Sequence, residues 1–200
     1  MSDVAVLGGR EEGKLRALVR DLNGRYHRAA LWTFMAIVLA HWMEHIAQAI
    51  QVFALGWERP ASRGVLGLLF PWLVSSESLH YFYAIVMLAG LLLLRPGFVG
   101  RARVWWDVAL GIQFWHHIEH ALLLSQVIAG ANLFGKPVPT SIAQLVIPRV
   151  ELHLLYNGLV FAPMVVAMLL HLWPSDEERR QVSCSCALRR REPALAPAGR

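Results

Sequence analysis

Four stretches of this 200-residue chain are apolar for long enough to cross a bilayer, and two of them carry the same ionisable pentad near the centre. They run near 30–56, 77–95, 104–130 and 149–173, and about 20 apolar residues suffice for one span. The pentad is His-x-x-Glu-His: His41, Glu44 and His45 in the first stretch, His116, Glu119 and His120 in the third. Backbone within hydrocarbon must satisfy its own hydrogen bonds, so such stretches are read as helices. Positions i, i+3 and i+4 share a helix face, and each pentad therefore aims two imidazoles and a carboxylate the same way. An ionisable side chain in mid-membrane costs about 2.5–3.5 kcal/mol on insertion scales, so these six require a compensating partner. A metal ion, or one another around such an ion, meets that need.

The fold expected is an all-α membrane protein, a four-transmembrane-helix bundle occupying 29–173. It lies between a basic N-terminal arm (1–28) and a basic, disordered tail (174–200). Hydrophobic residues make up 56% of the chain, and its mean hydropathy of +0.43 is too apolar for an ordinary soluble domain. The fourth helix could begin as early as Thr140, with Pro148 as kink or boundary. The run Val65–Val74, flanked by Pro60 and interrupted by Pro71, is too short to span and reads as an interfacial or re-entrant piece. Ala47-Gln48-Ala49 resembles a small-x-small cleavage site, but a long basic region precedes it and an uncleaved first span is expected.

Fifteen of the 19 Lys and Arg residues lie in the N-terminal arm, the 95–103 loop and the tail. Only Arg59, Arg63, Lys136 and Arg149 lie in the other two connections. The positive-inside rule then places both termini in the cytoplasm of a multi-pass cell-membrane protein. The formal net charge of +5 is explained by basic arms beside anionic headgroups, without a nucleic-acid partner. Cys184 and Cys186 fall in an Arg-, Pro- and Ala-rich segment, where a Cys-x-Cys could bind a soft metal or carry a lipid but the expectation is a reduced pair on an unstructured tail.

The two pentads are offset by 75 residues. A similar offset relates Glu77 and His80, followed by Tyr81 and Tyr83, to Glu151 and His153, followed by Tyr156 and Asn157. The chain thus reads as two helical hairpins of like plan, related by a pseudo-twofold axis along the membrane normal. The pentads fall at mid-membrane or slightly beyond. Glu77, His80, Glu151 and His153 fall in the outer third, roughly 8–12 Å away at 1.5 Å per residue.

His41, Glu44, His45, His80, His116, Glu119, His120 and His153 are the candidate metal ligands, with His117 one position off the face. Di-metal carboxylate bundles draw a comparable symmetric supply from four helices. Imidazole-rich sites suit iron, zinc, copper or manganese, and here iron is favoured, with room in the ligand count for two ions. Glu44 and Glu119 are expected to bridge or complete coordination, while Glu77 or Glu151 moves protons and Tyr156 relays them or acts in redox. Haem b between facing histidines such as His45 and His120 is the alternative cofactor, although it would leave four carboxylates unexplained. Gln48, Gln51 and Gln113 extend the polar stripes, and Trp42, Trp72, Trp105, Trp106 and Trp115 are read as interfacial or lipid-facing.

The leading function is a non-haem membrane redox enzyme acting on a lipid or other apolar substrate, supplied with electrons by a redox partner. Three alternatives are a haem-binding electron-transfer subunit, a non-catalytic metal-handling protein and a metal-free Glu/His proton-transfer enzyme. The clustered histidines are similar to those of membrane fatty-acid desaturases and hydroxylases. Those boxes, however, are His-x-x-x-His and His-x-x-His-His and lie towards the cytoplasm. The pentads here carry an internal Glu and lie mid-membrane to outward, so family membership is not implied.

Overall fold

The computed structural model describes residues 2–184 and Cys186, with side chains from Gly13 onwards. All its regular structure among the described residues is helical. Helix α1 (Ser2–Asn23) ends at a corner where α2 (His27–Ala49) begins, and α2 runs on into a π turn, Ile50–Ala54. Two single-turn helices, α3 (Leu66–Leu69) and α4 (Trp72–Ser75), follow before α5 (Glu77–Leu94). Then come α6 (Gly100–Ala129), α7 (Arg149–Leu172) and the short α8 (Asp176–Gln181). Three segments, His27–Ala54, Glu77–Gly97 and Arg149–Leu172, are long and apolar enough to cross a membrane. Helix α6 is the longest of all but carries Arg101, Arg103 and Asp107 in its first turns and is not among those three.

Helix ends follow local chemistry. The Ser76 hydroxyl accepts the Leu79 N–H at 3.3 Å to open α5, and Pro96 follows its end. Gly130, at φ 62°, caps α6, a conformation glycine adopts without a Cβ penalty. Helix α7 starts directly after Pro148, so the early start at Thr140 is not realised; residues 143–145 form a separate 3₁₀ turn. Leu66, Leu68, Leu69, Phe70 and Trp72 of the α3–α4 connection are all exposed.

Helix α6 packs against α5 and α7, and α2 against α7. At the end of the bundle that bears Arg95, Arg101 and Arg103, termed here the basic end, the interior is apolar. Leu91, Phe98, Trp106 and Met164 are fully buried there. Phe98 stacks on Trp106 with ring centroids 4.1 Å apart, and the indole N–H donates to the Leu91 carbonyl at 2.8 Å. Trp106 is therefore core and not lipid-facing, because its one polar atom finds a partner inside. Phe34 lies so close to Gly90 that a Cβ there would sit 2.2 Å from the ring.

The opposite half of the interior is polar. His45, Gln48, Gln113, Glu119, His120, Gln126 and His153 are all buried. Meanwhile Trp32, Met43, Phe53, Phe82, Phe114 and Leu155 face outward. The bundle is apolar outside and, over half its length, polar within.

The tail differs from expectation. Helix α8 is closed by a capping box in which the Ser175 hydroxyl accepts the Glu178 N–H, and Glu178 returns to the Ser175 N–H at 2.8 Å. Glu178 also receives the Arg101 N–H and guanidinium at 2.9–3.0 Å. Cys186 is buried. The segment 174–186 is held by charge-assisted bonds and is not a disordered arm over its described residues; the rest of the tail lies outside them.

Candidate metal centre

Six histidines from four helices converge. On α2 the Nε2 atoms of His41 and His45 are 2.9 Å apart; on α6 those of His116 and His120 are 3.1 Å apart. The i, i+4 spacing stacks each pair one above the other on a single face. His153 of α7 is the hub. Its ring centroid lies 5.4 Å from His45, 5.4 Å from His120, 5.7 Å from His116 and 6.1 Å from His80. Nitrogens of His116, His120 and His153 lie within 4.8 Å of one another. The two layers, which the sequence leaves open as one site or two, meet, since the His80 and His153 rings lie against those of the pentads.

Hydrogen bonds fix which nitrogen points inward on three of these rings. His45 Nδ1 faces the Gln48 amide oxygen at 2.8 Å, His80 Nδ1 the Ser76 carbonyl at 2.9 Å, and His153 Nδ1 the Arg149 carbonyl at 2.8 Å. Each acceptor takes an N–H, which leaves Nε2 as the lone-pair nitrogen. This is the arrangement that orients imidazoles toward metals. His153 Nε2 is buried with no partner. Each close Nε2 pair is satisfied either by one shared proton or by one ion. For metal–nitrogen bonds of 2.0–2.1 Å, ligands at 90° stand about 2.9 Å apart and tetrahedral ones about 3.4 Å. The observed 2.9 and 3.1 Å fit cis positions of an octahedral or tetragonal ion better than a tetrahedron.

The carboxylates make other contacts. Glu44 accepts the Leu66 N–H at 3.0 Å, and Glu119 the Ala143 N–H at 2.8 Å. Each pins the connection that follows its own helix. Gln51 does the same for Gly64, accepting its N–H at 2.9 Å and donating to its carbonyl at 3.1 Å. Gln126, missed in the sequence reading, does so for Thr140, with bonds of 3.1 and 3.0 Å. Glu77 forms a two-pronged ion pair with Arg149, and Glu151 pairs with Arg59 at 2.5 Å. Both acids thus pair with arginine, and no hydrogen bond joins them to His80 or His153 among the described residues. Gln126 stands 75 residues after Gln51, so extending the pentad offset one turn further would have found it.

The tyrosines line the cluster. Tyr83 stacks on His41 at 3.6 Å, and Tyr156 lies over His116 at 4.4 Å while accepting the Trp115 indole N–H at 2.9 Å. Tyr81 stacks instead on His117, outside the cluster. Asn157 donates to the His153 carbonyl and Gln113 to the Ala84 carbonyl, so both serve the helix framework.

An enclosed cavity of about 20 Å³ lies among His41, His80, His116, His120 and His153, room for a water or an ion. A macrocycle needs several hundred cubic ångströms, so this small cavity by itself does not hold haem. Two larger spaces reach the same histidines. One, about 430 Å³, has apolar walls including Ile37, Leu66, Leu73 and Leu79, with His41, His45 and His80 along it. The other, about 520 Å³, is lined by Arg59, Arg63 and Arg149 as well as His45, His80 and His153.

Among the described residues a second group of metal-type ligands appears at the basic end: His27, His171, Cys184 and Cys186. The sequence favours a loose tail for the cysteines over binding of a soft metal, and does not join them to His27 and His171. No protein-family model matches the chain, and neither curated proteins nor solved structures give a match.

Proposed function

We propose that this chain is an integral membrane metalloprotein in which α2, α5, α6 and α7 each cross the bilayer and together hold a histidine metal centre. In this reading the centre is redox-active and acts on a lipid or other apolar substrate. The observation that carries it is the convergence of six imidazoles from four helices, of which His41, His80, His116, His120 and His153 line one small cavity and His80 and His153 have Nδ1 already hydrogen-bonded to a helix carbonyl. His153 Nε2, buried without a hydrogen-bond partner, is an acceptor that a metal would satisfy.

Several features support the membrane setting. Outward apolar side chains continue along α6, including Phe114, Ile118 and Val127, so its charged first turn leaves an apolar remainder able to span. Charge asymmetry supports a cytoplasmic position for the basic end. The matched contacts of Glu44 with Glu119, Gln51 with Gln126, and Tyr83 with Tyr156 support two pseudo-equivalent hairpins.

Iron or copper held by imidazoles supplies one-electron chemistry with oxygen. The chain's own residues orient the ligands through Gln48 and two helix carbonyls, exclude bulk water with Tyr83 and Tyr156, and admit an apolar molecule along the groove beside His41. The test is metal analysis and oxygen uptake by the protein in lipid nanodiscs, with His153→Ala alongside. The proposal expects bound iron or copper and lipid-dependent oxygen uptake, both lost in the variant. Zinc alone in the histidine centre, with no uptake, would leave a metal-handling protein and sink the redox reading.

A further inference from the structure

At the basic end four side chains with metal-binding chemistry converge from three parts of the chain. His27 opens α2, His171 lies in the last turn of α7, and Cys184 and Cys186 follow α8. His27, His171 and Cys186 are 0%, 1% and 3% exposed. Cys184 Sγ lies 3.4 Å from His27 Nδ1 and 3.3 Å from His171 Nε2, and Cys186 Sγ lies 3.6 Å from His27 Nδ1. With zinc–sulfur bonds of 2.3 Å and zinc–nitrogen bonds near 2.05 Å, the sulfur–nitrogen edge of a tetrahedron is about 3.6 Å. Three measured edges therefore fall within a few tenths of an ångström of that figure.

Satisfaction of the group points the same way. Without an ion, two thiols and two imidazoles in this buried pocket have only weak S–H contacts to share. Two thiolates with a divalent cation make a neutral centre, which suits burial far better than either charge alone. The rings are enclosed by Phe98, whose centroid is 5.6 Å from His27 and 4.9 Å from His171. Gly97 abuts the spare nitrogen of His27: a Cβ there would sit 2.3 Å from Nε2.

We propose that His27, His171, Cys184 and Cys186 form a structural Cys2His2 zinc site that fastens the C-terminal segment to the start of α2 and the end of α7. All four positions are filled by protein and none is open to substrate, the mark of a structural centre. Cys184 contacts both imidazoles, which fits one ion and not a two-iron cluster with histidines on one iron and cysteines on the other. The site is independent of the histidine centre, being built from different residues at the other end of the bundle.

Cobalt(II) serves as the probe, because only a thiolate-bound ion gives sulfur-to-cobalt charge transfer. Purified full-length protein, stripped with chelator and titrated with cobalt, is expected to show that band with tetrahedral d–d absorption, saturating at one ion per chain and displaced by zinc. The band is absent from Cys184→Ser/Cys186→Ser, whereas His153→Ala retains it. On the wild-type chain, zinc should slow alkylation of both cysteines at least about a hundredfold, as expected of a high-affinity site. Gly97→Ala, which displaces the His27 ring, should weaken zinc binding about 10–100-fold. Absence of the charge-transfer band together with alkylation indifferent to zinc would overturn the proposal. So would a native iron–sulfur spectrum lost in the double serine variant.

Discussion

Replacing Glu119 separates a loop staple from a metal ligand. Glu119 is 3% exposed, and its carboxylate accepts the Ala143 N–H at 2.8 Å across the connection between α6 and α7. Glu119→Leu removes the acceptor and strands a backbone donor. A hydrogen bond to a charged group contributes about 1.5–3 kcal/mol, and that is the destabilisation expected. Glu119→Gln keeps an acceptor oxygen in place but loses the charge, so the cost falls to about 1 kcal/mol, the gap between charged and neutral bonds. For a chain of this size about 1 kcal/mol shifts Tm by roughly 2–4 °C. Melting of both variants in detergent, followed by tryptophan fluorescence and paired with metal analysis, checks this. Both should melt early in that order and retain the wild-type metal content. If Glu119→Gln instead lost metal while Tm stayed put, the carboxylate would be a ligand and the staple assignment wrong.

Gly90→Ala should cost about 1–3 kcal/mol, because the new methyl would meet the Phe34 ring and the core must shift to admit it. An unchanged Tm would contradict the close α2–α5 packing. Tyr83→Phe should be neutral to within about 0.5 kcal/mol, since the Tyr83 hydroxyl is buried without a partner and only its ring meets His41. Loss of oxygen uptake in that variant would instead give the hydroxyl a chemical role. The Arg101 guanidinium holds the Glu178 carboxyl well below the usual carboxylate range. A depressed folded pKa means the contact contributes fully above the unfolded value of about 4.3 and is lost as pH falls through the folded one. Proteolytic protection of α8, measured in the Cys184→Ser/Cys186→Ser background to remove metal release, should therefore persist below pH 4. Glu178→Gln should abolish that acid transition, and a transition near pH 4–5 in the parent would show that Arg101 does not hold the carboxylate.

The helices and the convergence of imidazoles were legible because both are local signals. Apolar length marks α2, α5 and α7, and i, i+4 spacing puts His41 with His45 and His116 with His120 whatever the tertiary fold. The destinations of the carboxylates were not legible. Glu44 and Glu119 are taken by backbone N–H groups at Leu66 and Ala143, in connections whose course depends on where Gln51 and Gln126 bind. Pentad spacing says which face a glutamate is on, but not what a loop will bring to it. Trp106 sits between Arg103 and Asp107 and so looked interfacial, until the Leu91 carbonyl gave its indole a buried partner. His27 and Cys184 are 157 residues apart, and no sequence window contains both. Helix topology did carry a hint, because His27, His171 and the two cysteines all fall at the basic end.

Metal content of purified protein with and without His153 tests the central claim most directly. His153 is the ring on which His45, His80, His116 and His120 converge. The wild-type chain should carry iron or copper that His153→Ala lacks, while the zinc held by His27, His171, Cys184 and Cys186 stays in both. A His153→Ala protein that keeps the same iron or copper as the wild type would contradict the histidine centre.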